Sequence, residues 1–448
     1  MTSILSVYAR FGADLSNHPV DASVLHHARR AVVDWYAAAL PGAIENPGVL
    51  LERALADELD MGSARLVLGR RATARAAALI NGTAAHTVEV DDIYREAIYH
   101  PGAPVIAAAL AACSAPGGDP ARFWPAVIAG YEISNRIGAT LGREHYRFWH
   151  NTGTVGTLGA AAAAACALGL DEQRFTHALA TATTFAAGLQ QAFRMDSMSK
   201  PLHAGRAAEG GVLAAQAATV GVTGSLDVLD GEAGLGRAMA QGPDWSHAAD
   251  GLGEDFTITR MTFKNHACCG HTFAAIDGAL ELQRRMGVGA GDIERIEIAT
   301  YGPALEVAGN PNPQTAPEAR FSIPFVVASA LKFGSVRLAA FGEGRLRDAE
   351  LRSLMARIKL SVDPELDAVF PGQRGAKVTI LQTGGSTESY LQEHRVGDPE
   401  LPLTDEQLSD KFRELAVPVL GQSVAAALLK SIWAADRSDQ IQVHRASS

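Results

Sequence analysis

The chain has few cysteines, no long apolar run and no block of basic residues. Its four cysteines among 448 residues are Cys113, Cys166, Cys268 and Cys269. Two of them are adjacent, which is not the spacing of a disulfide framework, so we expect a reducing, cytoplasmic environment. The most apolar segment, residues 157–170, is mainly alanine. It is too short and too weakly hydrophobic to cross a bilayer.

Several common ligand-binding signatures are also missing. The formal net charge is -10 and basic residues are scattered, which argues against a nucleic-acid or anionic-membrane partner. No glycine-rich dinucleotide fingerprint follows a strand, and neither a phosphate-binding loop nor a serine-hydrolase elbow is present. We therefore expect an enzyme that needs no cofactor, and an anionic substrate would require a local basic pocket.

Hydrophobic periodicity divides the chain into two parts. Up to about residue 260, apolar residues recur at helical spacing, whereas residues 293–300 alternate as a half-buried strand and residues 377–382 resemble a further strand. Helical patterns return near residue 404. The predicted fold class is a large all-helical domain with an inserted, smaller α+β domain. We assign residues 1–264 and 400–448 to the helical domain and residues 265–399 to the inserted domain.

The first polar motif contains Asp91, Asp92 and His100, and it is followed by Pro101 and Gly102. Proline and glycine end a helix, so these polar side chains are expected at a helix end, where they can face a cleft. The structural alternative is that an aspartate caps the next helix.

The second motif combines two arginines with aromatic residues and histidines. Arg143, Tyr146, Arg147 and His150 lie just before a Gly/Thr turn and an alanine-rich helix. Arginine forms two parallel hydrogen bonds with a carboxylate, so this motif suits a polyanionic substrate. A surface loop with satisfied side chains is the alternative.

The third motif places Lys200 before a proline and a helix of small residues, with His203 close behind. A lysine that is partly removed from water has a lowered pKa and can act as a base. The alternative is a fully solvated lysine.

The fourth motif runs from Lys264 through His266, Cys268 and Cys269 to His271. Adjacent cysteines fit a tetrahedral zinc site poorly, and no second cysteine pair completes one, so we predict no metal here. Proton transfer by Lys264 and His266 is favoured over zinc binding. A buried linker with structural cysteines is the alternative.

Taken in this order, the motifs resemble those of the MmgE/PrpD family, which includes 2-methylcitrate dehydratase, cis-aconitate decarboxylase and iminodisuccinate epimerase. The resemblance covers nearly the whole chain. It implies a homodimer and a site between the two domains, with a small polycarboxylic acid as substrate. Carried over position by position, the family's cleft residues are Asp91, Asp92, His100, His150, Lys200, His203, Lys264 and His266.

Two departures from the family pattern, together with the length of the chain, resemble the iminodisuccinate epimerase branch. Ile93 stands where the family commonly has threonine, and Phe325 stands where it has tyrosine. We predict that Lys264 and Tyr146 form an opposed acid–base pair and that His266 tunes Lys264. The carboxylate-holding residues would be Arg143, Arg147, Lys200 and His100. The alternatives are a dehydratase of 2-methylcitrate-like acids and a non-catalytic carboxylate-binding protein.

Overall fold

The computed structural model describes residues 3–15, 17, 20–193 and 197–436. The chain forms two compact units. Residues up to Phe263, together with those from Thr404 onward, make up the first unit, and Lys264–Leu403 make up the second. The first unit is largely helical and the second is α+β, which confirms the predicted fold class.

Polar side chains start the helices of the first unit where the sequence leads one to expect them. Asp21 accepts a hydrogen bond from the backbone N–H of Ser23, and Thr73 accepts one from Ala76, so each caps the helix that follows. The helices described before residue 264 are α1 (Ile4–Asp14), α2 (Ala22–Gly42), α3 (Gly48–Ala54), α4 (Ala74–Thr87), α5 (Gly102–Cys113), α6 (Phe123–Tyr146), α7 (Asn151–Ala167), α8 (Glu172–Thr183), α9 (Ser199–Thr219) and α10 (Leu235–Met239).

Small residues allow the central helices to approach closely. Every residue of α7 is buried, which its alanine and glycine content permits. On α9, a Cβ atom added to Gly205 would lie 2.1 Å from Oγ1 of Thr83 and 2.2 Å from the carbonyl oxygen of Leu79, both on α4. A larger residue would therefore push α9 away from α4. This close crossing brings the start of α9 beside the end of α4.

The helical prediction fails in three places before residue 260. An antiparallel pair, β1 (Leu59–Arg65) and β2 (Arg71–Ala72), interrupts the helices. Most of β1 is exposed, so it lacks the apolar alternation that would have marked it as a strand. Residues 220–260 are mostly turns, with α10 as a short helix. Within α6 the backbone leaves the helical conformation at Gly142, whose φ is 67°.

The second unit is built around a four-stranded sheet. Its strand order is β4-β3-β5-β6, in which β3 pairs parallel with β4 and antiparallel with β5. Ile293, Ile296 and Ile298 of β3 are buried, which confirms the predicted alternation. The elements are α11 (Phe273–Met286), β3 (Ile293–Thr300), α12 (Gly302–Ala308), α13 (Ala316–Arg320), α14 (Ile323–Phe333), α15 (Glu343–Leu346), α16 (Ala349–Met355), β4 (Ile358–Val362), α17 (Pro364–Ala368), β5 (Ala376–Gln382) and β6 (Thr387–Gln392).

Two helices return the chain to the first unit, α18 (Asp405–Leu420) and α19 (Gln422–Ala434). Thr404 and Gln407 form a reciprocal capping box that starts α18, which packs against α2. Within the described ranges, no helix is both long enough and apolar enough to cross a membrane.

Candidate active site

The loop between α4 and α5 is held firmly by its neighbours. Ile93 exchanges two backbone hydrogen bonds with Thr262, at 2.8 and 2.9 Å. Glu89 and Ile98 adopt positive φ angles of 61° and 49°. A left-handed conformation is unfavourable for a β-branched residue such as Ile98, and strain of this kind costs roughly 1–3 kcal/mol per residue. Strained loops of this sort cluster at functional sites, because the surrounding structure must maintain them.

Asp91 binds two imidazoles through the same carboxylate oxygen. Its Oδ2 lies 2.6 Å from Nδ1 of His86 and 3.3 Å from Nδ1 of His100. His86 and Asp91 are buried, and His100 is mostly so. Burial opposes the charge on Asp91, but the two imidazoles outweigh it and hold the pKa of this carboxyl well below its usual range. Asp91 is therefore ionised and orients both rings.

Asp92 has different partners from Asp91 and supports the start of helix α5. Its Oδ1 accepts the backbone N–H of Gly102 at 3.0 Å, and its Oδ2 accepts the hydroxyl of Tyr131 at 2.7 Å. Burial, followed by the nearby charge of Asp34, raises the pKa of Asp92 to about 8. Asp92 thus caps the start of α5, which is the structural alternative considered for this motif.

His150 and His203 form a pair beside the Asp91 group. Their Nδ1 atoms are 3.1 Å apart, so one ring donates a hydrogen bond to the other. The ring of His150 also stacks on His86, with centroids 5.4 Å apart. Burial, helped by neighbouring His86 and Lys200, lowers the pKa of His150 well below its ordinary value, and burial lowers that of His203 as well. Both rings are neutral near pH 7 and can accept a proton.

Lys200 stays charged at the same cluster. Its Nζ donates a hydrogen bond to the carboxylate of Glu89 and lies 5.2 Å from the ring centroid of Phe193. Burial disfavours the ammonium, but Glu89, Asp91 and Tyr146 outweigh that effect and raise the pKa of Lys200. The lowered pKa that a base role for Lys200 would need is not found, because Glu89 favours the ammonium, and a charged lysine suits the carboxylate-binding role predicted for it.

Tyr146 and its flanking arginines follow the break in α6. Tyr146 is half-buried and close enough to Lys200 to affect its charge. Arg143 and Arg147 are exposed, and the guanidinium of Arg147 lies over the ring of Phe148, with 5.1 Å to its centroid. The structure therefore brings Tyr146 to the cluster and leaves the two arginines on the surface of the first unit.

On the second unit, a carboxylate orients His266. Nε2 of His266 lies 2.8 Å from Oδ1 of Asp277, and Oδ2 of Asp277 accepts the backbone N–H of Val396 at 2.8 Å. Lys264 and His266 are buried, with 8% and 2% of their surface exposed. An aspartate that fixes one ring nitrogen leaves the other to act in proton transfer. This arrangement is consistent with an acid–base role for His266.

The cysteine motif does not converge on a metal position. Sγ of Cys268 lies 3.1 Å from Oγ1 of Thr272, and Nδ1 of His271 lies 2.8 Å from the hydroxyl of Tyr301. Burial, reinforced by arginine charges, lowers the pKa of His271 to about 4. In the described part of the chain, the residues that come together in a possible metal-binding arrangement are instead His86, Asp91 and His100.

Comparison with known families identifies the chain. The sequence model of the MmgE/PrpD N-terminal domain matches residues 7–248, and that of the MmgE/PrpD C-terminal domain matches residues 266–436. The chain belongs to the MmgE/PrpD family. The resemblance inferred from the motifs is thereby confirmed.

Three relatives of this MmgE/PrpD chain cover most of its length. It is 28% identical to human cis-aconitate decarboxylase over 367 residues, which is 80% of this chain and 75% of the relative. The mouse protein of the same name is also 28% identical, over 79% and 74% of the two chains. A cis-aconitate decarboxylase-like protein of Aspergillus oryzae, oryM, is 26% identical over 96% and 93%. These similarities support an enzymatic role for the chain.

Sequence reasoning missed two residues of this MmgE/PrpD site. His86 lies inside the helical pattern of α4, and its position five residues before Asp91 was the available signal. Asp277 lies on α11 and becomes the partner of His266 only when the chain folds. His86 contacts Asp91, and Asp277 orients His266.

Proposed function

We propose that the protein is a cofactor-independent epimerase of a small polycarboxylic acid similar to iminodisuccinate. A base removes the proton from the carbon beside a carboxylate, and an acid returns a proton to the opposite face. The observation that carries the proposal is that Lys200, held charged by Glu89, lies within electrostatic range of the half-buried phenol of Tyr146. A cation stabilises the negative charge of a carbanion next to a carboxylate, and a phenol can exchange a proton with that carbon.

The charge states in the first unit support carbanion chemistry. Removal of the proton leaves negative charge on the carbon and the adjacent carboxylate, and a fixed cation stabilises that charge more in the transition state than in the substrate. Lys200 supplies the cation. His150 is neutral near pH 7, so it can accept a hydrogen bond or a proton without first losing one. His100, oriented by Asp91, is proposed to hold a second carboxylate.

The proton exchange is assigned to Tyr146 and Lys264, with His266 tuning Lys264. Tyr146 suits this role because the other candidate position, Phe325, has no hydroxyl group and is fully buried in the second unit. The phenols of Tyr99 and Tyr131 are buried, and burial raises the pKa of each. Asp277 fixes the ring of His266. Arg143 and Arg147 are proposed to assist carboxylate binding from the surface, and the active form is proposed to be a homodimer.

A lyase is the second candidate function. The relatives that cover most of the chain are named cis-aconitate decarboxylases. Loss of carbon dioxide also leaves a carbanion that must be stabilised and protonated, so the same cluster would serve. A dehydratase acting on 2-methylcitrate-like acids would share the first proton abstraction and then expel hydroxide with help from an acid.

The deciding experiment uses one stereoisomer of iminodisuccinate in deuterium oxide, followed by proton NMR. We expect conversion to the other stereoisomer, with deuterium at the inverted carbon and no vinyl signal. Parallel samples contain cis-aconitate and 2-methylcitrate. Faster turnover of either acid, with a new alkene product and no exchange in iminodisuccinate, would replace the epimerase with a lyase. Binding of these acids without exchange or turnover would favour a non-catalytic protein.

Activity should survive dialysis against a chelator.

A further inference from the structure

Three side chains of the first unit place metal-ligand atoms close together. One nitrogen each from His86 and His100 and one oxygen from Asp91 all lie within 4.8 Å of one another. Two imidazoles and a carboxylate form a ligand set typical of divalent transition metals. We propose that His86, Asp91 and His100 bind one divalent transition-metal ion of the Zn²⁺ class, and that the bound ion blocks the site.

The two separations that involve Asp91 are close to those of a zinc site. Zinc binds imidazole nitrogen at about 2.0–2.1 Å and carboxylate oxygen at about 2.0–2.2 Å in tetrahedral geometry, so neighbouring ligand atoms lie ~3.3 Å apart. The Asp91–His100 pair is already separated by 3.3 Å. The Asp91–His86 pair, at 2.6 Å, must open slightly. Two neutral imidazoles and one carboxylate leave a net positive charge, which a water or a substrate carboxylate in the fourth position would reduce.

The surroundings of His86 indicate a weakly held ion and not a tightly held resident one. In the absence of metal, the Nδ1–H group of His86 faces Asp91. A metal at Nδ1 moves that proton to Nε2, which is buried and has no hydrogen-bond partner among the described residues. Metal-binding histidines normally donate this second N–H to a partner, and loss of such a partner weakens binding about 10–100-fold. We therefore expect micromolar affinity.

We expect the bound ion to inhibit the enzyme, because it would occupy Asp91 and His100. Asp91 could no longer orient His100 as a hydrogen-bonded imidazole, because both would be coordinated. The metal site does not depend on which reaction the enzyme catalyses, since it rests on ligand positions alone. Its test therefore measures binding without any substrate.

The experiment titrates metal-free, full-length protein with ZnCl₂ by isothermal titration calorimetry, and with CoCl₂ by visible absorption. We expect one ion per chain, with absorption bands of a tetrahedral Co²⁺ complex. His86→Gln and His100→Gln should each weaken binding about 10-fold or more. A Cys268→Ser/Cys269→Ser variant serves as the matched control, because it removes the other ligand-rich motif, and it should bind as the wild type does.

Several outcomes would overturn the metal site. These are absence of binding up to about 1 mM metal, unchanged binding in both histidine variants, or loss of binding in the cysteine variant alone. Circular dichroism checks that each variant is folded. If His86→Gln does not fold, His100→Gln decides the result, because His100 is 13% exposed and its loss leaves a smaller buried gap.

Discussion

Lys411 and Asp34 form a buried ion pair within the first unit. Nζ of Lys411 donates a hydrogen bond of 2.5 Å to Oδ1 of Asp34 and another of 2.6 Å to the carbonyl oxygen of Val90. Each member of the pair has only 1% of its side chain exposed. Because Val90 directly precedes Asp91, the helix that follows the inserted unit helps to fix the loop that carries the proposed site.

Replacement of Lys411 by methionine should destabilise the protein by about 3–5 kcal/mol, because Asp34 would remain buried without its partner. Urea denaturation followed by circular dichroism measures this loss. The double variant Lys411→Met/Asp34→Leu should recover part of it, since no uncompensated carboxylate remains. Lys430→Met is the control, because Lys430 is exposed on α19. Equal stability of Lys411→Met and the control would show that the pair contributes little.

The neutral state of His150 predicts a pH-dependent stability. Burial, with His86 and Lys200 nearby, lowers its pKa in the folded protein well below the ordinary value of 6.5. Below pH 6.5 the unfolded chain binds a proton that the folded chain resists, so the free energy of unfolding falls as the pH falls. Above pH 6.5 the imidazole of His150 is neutral in both the folded and the unfolded chain, so it does not change the free energy of unfolding with pH. A tenfold difference in proton affinity corresponds to ~1.4 kcal/mol.

His150→Gln should therefore lose less stability than the wild type between pH 7 and pH 5, as measured by urea denaturation at each pH. His247→Gln is a control of opposite sign, because the hydrogen bond with Asp250 raises the pKa of exposed His247 and its loss should steepen the fall in stability towards pH 5. If the wild type and His150→Gln showed the same pH dependence, His150 could not be the group that resists protonation.

Lys200 is expected to contribute mainly to substrate binding and to stabilisation of the carbanion. Lys200→Met removes a charged hydrogen-bond donor worth roughly 1.5–3 kcal/mol, so kcat/KM should fall about 10-fold or more. Arg147→Ala should have a smaller effect, because exposed charges are screened by water and salt. Steady-state kinetics of both variants test this order. An unchanged kcat/KM for folded Lys200→Met would place the carboxylate site elsewhere.

Local sequence signals predicted the elements better than they predicted the contacts. Apolar spacing predicted helices in the region of α4 and α5, because burial of one helix face repeats along the chain. Pro101 and Gly102 were expected to end a helix, whereas they start α5. The β1–β2 pair was missed because its exposed side chains show no such repeat. A pattern of this kind carries no information about which distant residue will become a neighbour.

The supporting residues of the site were missed for the same reason. The contact between His86 and Asp91 requires the chain to reverse through Glu89, which adopts a positive φ without being glycine. Lys411 reaches Val90 across 321 positions of sequence. The raised pKa of Lys200 depends on Glu89, which comes from another loop. These properties depend on tertiary packing, which neither residue type nor spacing encodes locally.

Tyr146 and Lys264 allow the epimerase to be distinguished from a lyase by mutation. If each removes or returns the proton on its own face of the substrate, Tyr146→Phe and Lys264→Ala should both abolish interconversion of the stereoisomers. Each variant should still exchange the α-proton of one stereoisomer with deuterium, because the base for that face survives. Proton NMR of each pure stereoisomer in deuterium oxide measures this half-reaction.

Matched controls for this pair are available in the same chain. Tyr390→Phe removes the hydroxyl of another partly exposed tyrosine, which lies under Arg285, and Lys430→Ala removes an exposed lysine. Both controls should epimerise at the wild-type rate. Loss of exchange from both stereoisomers in Tyr146→Phe would assign Tyr146 to both faces or to substrate binding. Full epimerisation by either proposed variant would remove that residue from the acid–base pair and leave the imidazoles of the first unit as the candidates for proton transfer.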